Sequence, residues 1–275
     1  MSMKQLKLIK PLLFLILLVG VERFTRSQTD GFRVEKTLFD AVEAVESTHQ
    51  SPPPHEVLEK PFYFLGSGAQ FYAFVSEDNQ TVLKLFKHYH MWPSSRILKQ
   101  APLPSFLHKW REKTLEKRRE RMTNIFSSAQ IALNPLSKET GVYALRLSPC
   151  KTSYPTVTLY DKIGVLHTLD LNNAPFVLQK RAELITSFDE TMADLIVAAI
   201  KHRCKKGVIN QDPVPYRNFG ILDSNVVEID LGSFKKIEGS YDQVFNAQVV
   251  AIKQWISKHN RKVDQAVLEK VIHYE

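Results

Sequence analysis

Between residues 62 and 86 the pattern of apolar and polar residues is typical of β-strands. Three runs at 62–65, 71–76 and 81–86 are rich in aromatic and β-branched residues, and they predict consecutive strands. The turns between them are predicted at Gly66-Ser67-Gly68 and Glu77-Asp78-Asn79, because glycine and Asx residues favour tight turns. Further strands are predicted at 142–147, 156–161, 176–179, 221–222 and 226–229. An antiparallel sheet is therefore expected in the first half of the chain.

Other segments carry apolar residues at helical spacing. The longest is a charged segment from 105 to about 133. A second helix is predicted at 187–206, where Ser187 and Glu190 match a capping box and Gly207 ends the helix. From 241 onward the pattern predicts two amphipathic helices with a break near 259–260. Together with the strands, these helices predict an α+β fold class.

The N-terminus has the pattern of a targeting segment. Lys4, Lys7 and Lys10 precede an uncharged run over 11–21, which is typical of a signal peptide at 1–27. The run is shorter than the ~20 apolar residues that span a bilayer. Because no pair of small residues marks a cleavage site, an uncleaved membrane anchor is the alternative. The chain is therefore expected to be exported or membrane-anchored, with the membrane as a partner of this segment.

The remaining chain is predicted to form one main domain after a linker. Of the 275 residues, 44% are hydrophobic and 24% charged, which is ordinary for a globular protein and excludes a disordered chain. Residues 28–60 are predicted to hold a short amphipathic helix and a Pro-rich linker at 51–54, because consecutive prolines cannot continue a helix. The main domain is predicted at 61–275.

The positive charge is concentrated in one segment. The formal net charge is +8, and residues 84–121 contain eleven Lys or Arg against three Glu, so this segment carries the whole excess. Such a segment attracts anionic partners such as nucleic acid, anionic lipid or an acidic protein. The alternative is a solvated helix face, which the lack of interleaved aromatic stacking residues favours.

Residues suited to nucleotide chemistry follow one another in a definite order. A glycine turn, Gly66-Ser67-Gly68, precedes Lys84 in a predicted strand. After the long helices come Asp212 and Asn218, and then Asp230-Leu231-Gly232 directly after an apolar strand. Each feature alone has an ordinary structural explanation, such as a tight turn, an edge lysine or a loop aspartate. Their order is what points to function.

This order resembles the protein-kinase-like superfamily over about residues 61–236. The matching stretches are 65–75, 82–84, 212–222 and 229–232, and 176–179 resembles the strand that leads into the hinge between the lobes. The segments 212–220 and 228–232 are also similar to segments of kinase-like proteins from chlamydia-type intracellular bacteria. The resemblance implies a bilobal fold with an antiparallel N-lobe sheet at about 61–182 and a truncated helical C-lobe at about 183–275. It also implies ATP and Mg²⁺ as cofactors.

The resemblance assigns a role to individual residues. Those implied in nucleotide binding are Gly66, Gly68, Lys84 and Gln179. Asn218 and Asp230 are implied as Mg²⁺ ligands, since both offer hard oxygen donors. Asp212 is implied as the base that accepts the proton of the substrate hydroxyl. The long helix should carry a carboxylate partner for Lys84, and the candidates are Glu112, Glu116 and Glu120.

Several positions depart from the family pattern. Phe71 stands at the third glycine position, and Asp212 lies six residues before Asn218 where the family has five. Only 43 residues follow Gly232, so most of the activation segment and helical lobe are missing from the pattern. Two functions stay open: an atypical phosphotransferase with an unknown protein or small-molecule acceptor, and a pseudokinase that acts as a binding or scaffold protein.

Overall fold

The computed structural model describes residues 3–39, 55–87, 95–148, 154–186, 189–212, 214–259 and 262–273. Its helices are α1 (Met3–Gln28), α2 (His55–Leu58), α3 (Ser95–Gln100), α4 (His108–Leu133), α5 (Ser137–Thr140), α6 (Glu190–Lys205), α7 (Pro215–Asn218), α8 (Tyr241–His259) and α9 (Lys262–His273). Its strands are β1 (Phe62–Ser67), β2 (Phe71–Ser76), β3 (Thr81–Phe86), β4 (Val142–Arg146), β5 (Thr156–Tyr160), β6 (Leu166–Asp170), β7 (Phe176–Lys180), β8 (Glu183–Leu184), β9 (Val208–Asn210), β10 (Phe219–Leu222), β11 (Asn225–Glu228) and β12 (Phe234–Lys236).

The N-terminal part is a seven-stranded sheet in the order β4-β7-β3-β2-β1-β5-β6. All neighbouring strands are antiparallel except β1 and β5, which pair in parallel. Strands β5 and β6 lie between β4 and β7 in the chain, yet they extend the sheet at its β1 edge. The predicted α+β class, with a mostly antiparallel N-terminal sheet and a helical C-terminal part, is confirmed.

The two faces of this sheet are covered by different segments. Side chains alternate across a strand, so Phe71 and Phe86 lie on one face and Tyr72 and Leu85 on the other. The Phe71 face packs against the buried side of α4. The Tyr72 face packs against Phe32 and its neighbours in the segment that follows α1. Helix α4 therefore lies directly on the sheet that carries the predicted nucleotide-binding lysine.

The C-terminal part is built around α6. Helices α8 and α9 pack against α6 over a common apolar cluster, as the amphipathic pattern predicted. Asp189 caps α6 by accepting a hydrogen bond from the Met192 amide at 2.8 Å, whereas the predicted cap Ser187 lies outside the described residues. Gly207 ends the helix with a φ of 69°, which glycine adopts without strain. The chain between α6 and α8 forms two short antiparallel ladders, β10–β11 and β9–β12.

The expectation that the N-terminal hydrophobic segment exports the chain or anchors it in a membrane is wrong. Among the helices that the structure describes, none combines the length and apolarity that a membrane crossing requires. In α1 the uncharged run over 11–21 is bounded by Lys10 and Glu22, so its eleven residues fall short of the ~20 needed. The predicted linker at 51–54 lies outside the described residues.

Candidate active site

Lys84 lies in the middle of the sheet, where β3 pairs with Ala73 of β2 and Val177 of β7. Its ammonium group donates a hydrogen bond to the carbonyl of Ile229, the residue before Asp230. The same group lies 5.9 Å from the centre of the Phe71 ring. Burial lowers the pKa of Lys84 to about 8, and the nearby Asp230 carboxylate opposes that shift. Lys84 and Asp230 are therefore brought together, as the resemblance implied.

Asn218 is hydrogen-bonded to both Asp212 and Ile229. Its side-chain nitrogen Nδ2 donates to the Asp212 backbone carbonyl at 2.8 Å, and the Ile229 backbone amide donates to the Asn218 backbone carbonyl at 2.7 Å. Burial raises the pKa of the Asp212 carboxyl, and the negative charge of Asp230 raises it further. These contacts place Asp212, Asn218 and Asp230 in one acidic cluster beside Lys84.

The extra residue between Asp212 and Asn218 is accommodated by a short helical turn. The Val214 amide donates to the Asp212 carbonyl at 2.9 Å, and the Asn218 amide donates to the Val214 carbonyl at 3.1 Å. Pro215 begins α7, a position that proline favours because no amide hydrogen is needed there. Pro213 lies outside the described residues. Asn218 thus returns to the Asp212 backbone despite the longer spacing.

The glycine turn is tight and open to its surroundings. The Gly68 amide donates to the Phe71 carbonyl at 3.0 Å, which closes the hairpin. A Cβ atom at Gly66 or Gly68 would meet no atom within 4 Å, so both positions leave room above the turn. The Lys87 ammonium donates to the Ser67 hydroxyl and to the Gly68 carbonyl, which fixes the turn from below.

Gln70 links this turn to the segment Asp230-Leu231-Gly232, a contact that the sequence did not predict. Its side-chain nitrogen donates to the Gly232 carbonyl at 3.2 Å. A Cβ atom at position 232 would lie 1.2 Å from the Gln70 Oε1 atom, so this contact requires glycine there. Gln70 Oε1 is buried and has no donor among the described residues. The only signal in the sequence is the place of Gln70 between the glycines and Phe71.

The Gln179 side chain is 2% exposed, and its amide nitrogen donates to the Thr140 carbonyl at 2.6 Å. The same nitrogen lies 3.5 Å from the backbone carbonyl of Glu228, two residues before Asp230. Its backbone is paired on both sides, with Val82 of β3 and Val142 of β4. The amide group therefore supports the packing of β7 against the end of α5.

Helix α4 offers Lys84 no carboxylate among the residues that the structure describes. Glu112, Glu116 and Glu120 are all exposed, and the buried face of α4 consists of other residues. The helix contacts the loop that carries Asp230 through Ser128. The Ser128 hydroxyl donates to the Leu231 carbonyl at 2.6 Å and accepts from the Phe234 amide at 2.7 Å. Ser128 thus holds the loop that carries Asp230.

A buried polar network supports Asp212 from the C-terminal side. Arg203 of α6 and Glu228 of β11 form an ion pair, and each is 1% exposed. Arg203 also donates to Gln248 of α8 at 2.7 Å, while Asn210 donates to Glu228 at 2.8 Å. The Asn210 side chain in turn accepts a hydrogen bond from the Asp212 amide at 2.9 Å. A chain of hydrogen bonds therefore connects the Asp212 backbone to this buried ion pair.

The oxygen donors at the cluster fit a magnesium ion that is completed by phosphate. Among the described residues no group of three or more His, Cys, Asp or Glu side chains is arranged to hold a metal. Magnesium, however, is usually bound by one or two carboxylates together with substrate phosphates. Asp230 supplies a carboxylate, Asn218 an amide oxygen, and Gln70 Oε1 is a buried oxygen that lacks a donor. All three are hard ligands of the kind that Mg²⁺ prefers.

Comparison with known proteins adds solved structures of kinase-like proteins. No protein-family model and no curated protein matches the sequence. The bifunctional kinase-methyltransferase WbdD matches 74% of this chain and 42% of its own, at 12% identity and a TM-score of 0.34. The Legionella pneumophila Lpg2603 kinase bound to IP6 matches 72% of this chain and 59% of its own, at 14% identity and a TM-score of 0.33. The ROP18 kinase domain in complex with AMP-PNP and sucrose matches 64% of this chain and 52% of its own, at 13% identity and a TM-score of 0.33.

The fold itself, a mostly antiparallel N-terminal sheet followed by a helical C-terminal part, agrees with the architecture that the resemblance implied. The chain spans about half the length of the structures that it matches. At such low identities and TM-scores these likenesses add nothing about substrate or activity, which depend on the residues of the site itself.

Proposed function

We propose that the chain binds ATP and Mg²⁺ between the sheet and the C-terminal helices, and that it transfers the terminal phosphoryl group to a hydroxyl of a small molecule. One set of contacts supports this proposal: Lys84 of the sheet bonds to the carbonyl of Ile229, beside Asp230, and Asn218 of α7 bonds to the backbones of Asp212 and Ile229. These side chains come from widely separated parts of the chain, and no single local motif brings them together.

Each residue of this group has a chemical task in the proposed reaction. Lys84 places a positive charge near the phosphates, beneath the open glycine turn. Asp230 and Asn218, with Gln70 beside them, would hold the metal, which supplies charge neutralisation for the phosphate oxygens. Asp212 accepts the proton of the acceptor hydroxyl, whose oxygen forms a bond to the terminal phosphorus as the bond to the ADP oxygen breaks. The raised pKa of Asp212 makes it a stronger base than an ordinary aspartate.

A small acceptor fits this chain better than a peptide. After Gly232 the backbone enters β12 at Phe234, pairs with β9, and reaches α8 at Tyr241. This connection is too short to form the extended platform on which a peptide substrate would lie. The acceptor is therefore proposed to enter the cleft beside Asp212.

The experiment that tests this proposal measures ADP formation from ATP and Mg²⁺ by the full chain, with water or added alcohols as acceptors. Asp212→Asn is expected to lower the rate about 100-fold or more, because a positioned base contributes at least that much. Asp230→Asn is expected to abolish the reaction by removing the metal ligand. The matched control is Asp223→Asn, an exposed turn residue of the β10–β11 hairpin, which should leave the rate unchanged.

A pseudokinase is the second candidate, and a specific observation favours it. No described carboxylate of α4 pairs with Lys84, whose ammonium group bonds to the backbone carbonyl of Ile229. A protein of this kind would bind nucleotide or a partner without catalysis. Nucleotide binding with an ADP-formation rate that Asp212→Asn does not change would support it over the phosphotransferase.

A further inference from the structure

A cavity of about 250 Å³ lies between the glycine turn and helix α4. The residues that carry the inference are Ala69, Gln70, Thr114, Lys117, Arg118 and Arg121. Met122 and Ile125 close the cavity on its apolar side, where α4 meets the sheet core. Three cationic side chains of one helix thus surround a concave space, and none of the residues that line it is acidic.

The side chains of α4 that border the cavity include cations and no glutamate. Glu112, Glu116 and Glu120 recur every four residues and share one exposed face. Lys117 and Arg121 are also four residues apart, and they lie on the face that borders the cavity. Glu116 forms a salt bridge with Arg119, and neither residue lines the cavity. The cavity therefore meets cationic side chains of α4 and none of these three glutamates.

The turn that covers the cavity is held in place. Lys87, which is 7% exposed, also lines the cavity and donates to the Ser67 hydroxyl and the Gly68 carbonyl. These two bonds fix the turn on the β3 end of the sheet, so the space beneath Ala69 and Gln70 keeps its shape before any ligand binds. A preformed site of this kind spares a ligand the entropic cost of ordering the loop.

We propose that this cavity binds the phosphate groups of a small polyphosphorylated molecule. Arginine binds phosphate through paired N–H donors, and lysine adds a point charge. The volume is below the about 300–1,000 Å³ of pockets that hold whole drug-sized ligands, so the cavity takes the charged end of the molecule. The lining contains no aromatic side chain on which a base could stack, which favours a phosphorylated small molecule over single-stranded nucleic acid. The site does not depend on the proposed phosphoryl transfer.

The test measures binding of inorganic tripolyphosphate to the full chain by calorimetry at constant ionic strength. The double variant Lys117→Gln/Arg121→Gln removes two exposed cations of the cavity, and Lys113→Gln/Arg119→Gln removes two exposed cations elsewhere on α4 as the matched control. The cavity variant is expected to weaken binding about tenfold or more, since charge-assisted hydrogen bonds are lost, and the control about twofold or less. Equal weakening by both variants, or no weakening by either, would overturn the proposal.

Two further arms separate this site from the nucleotide cleft. Asp230→Ala should keep its affinity for tripolyphosphate even if it loses ATP and Mg²⁺, and the cavity variant should keep its affinity for ATP and Mg²⁺. If the cavity variant instead loses ATP affinity while tripolyphosphate binding is unchanged, the cations serve the nucleotide's own phosphates and the separate site is wrong. Tight binding of a single-stranded oligonucleotide that the cavity variant loses, without tripolyphosphate binding, would likewise contradict it.

Discussion

The Ser128 hydroxyl of α4 donates a hydrogen bond of 2.6 Å to the carbonyl of Leu231, the residue after Asp230. The same hydroxyl accepts a bond from the Phe234 amide at 2.7 Å, and Leu231 itself is fully buried against the α4 core. Helix α4 therefore positions the Asp230 loop through its backbone. In this chain the serine connects helix and loop, while the lysine of the sheet bonds to the backbone at Ile229.

Ser128→Ala tests this connection. Removal of the hydroxyl leaves the Leu231 carbonyl and the Phe234 amide without a partner in a buried site, so a loss of about 1–3 kcal/mol in the free energy of unfolding is expected. Urea denaturation measures the change. Ser127→Ala is the control, since Ser127 is exposed on the same helix and should change stability by less than about 0.5 kcal/mol. Equal stability of the two variants would show that the Ser128 bonds contribute nothing.

The buried pair of Arg203 and Glu228 gives a second prediction. Arg203→Met leaves the Glu228 carboxylate buried without its cation, which is expected to cost about 3–5 kcal/mol. The double variant with Glu228→Gln removes that charge as well, so it should be more stable than Arg203→Met alone. Denaturation of the two single variants and the double variant completes the cycle. Simple addition of the two single costs would refute the direct coupling.

Lys84 gives a prediction about the pH dependence of stability. Its pKa is about 8 in the folded chain and 10.5 in the unfolded chain, so the charged form is disfavoured by folding. The resulting penalty is fully present below pH 8 and disappears as the pH rises from 8 towards 10.5. The free energy of unfolding of Lys84→Met, compared with that of the parent chain, should therefore be highest at pH 7. As the pH rises, the parent chain should gain up to about 3 kcal/mol relative to the variant.

Thermal unfolding of the parent chain and Lys84→Met at pH 7 and pH 10 measures this shift. Lys113→Met is the control, because Lys113 is exposed on α4. A difference between Lys84→Met and the parent that stays constant over this range, or changes in the other direction, would contradict the burial of the charged ammonium group.

The contact between Gln70 and Gly232 makes a fourth prediction. Gly232→Ala places a methyl group 1.2 Å from the present position of Gln70 Oε1, so the Gln70 side chain must move and lose its hydrogen bond. The expected cost is about 1 kcal/mol. In a Gln70→Ala background the same substitution should cost less, because the obstructing side chain is gone. A cost that is the same in both backgrounds would show that the two loops do not touch.

The elements that follow a strong local pattern were predictable. Strands β2 and β3 have the bounds that the alternation predicted, and α8 and α9 separate near the predicted break. Strand β6 was missed because it is an edge strand with an exposed apolar residue, Leu166, whose neighbours show no clean alternation. The N-terminal prediction is wrong because the uncharged run over 11–21 is shorter than the ~20 apolar residues that a membrane crossing requires.

The polar contacts at the site were less predictable, for a physical reason. The bonds of Arg203, Asn210 and Gln248 join residues that are 25, 38 and 45 positions apart, so no local period records them. The order of Lys84, Asp212, Asn218 and Asp230 was informative because the family resemblance supplied the long-range geometry. The family resemblance assigned no role to Gln70 or Ser128, so only the folded chain shows which groups they contact.

The most direct test of the proposed nucleotide site is the thermal stability of the full chain with and without ATP and Mg²⁺, compared with that of Asp230→Ala. A ligand that binds only the folded chain, at a hundred times its dissociation constant, stabilises it by about 2.7 kcal/mol. If Asp230 holds the metal of a nucleotide site, the Tm should rise only when both ATP and Mg²⁺ are present, and Asp230→Ala should abolish this rise. An unchanged Tm in the folded parent chain, or a rise that Asp230→Ala retains, would contradict a nucleotide site built on Lys84, Asn218 and Asp230.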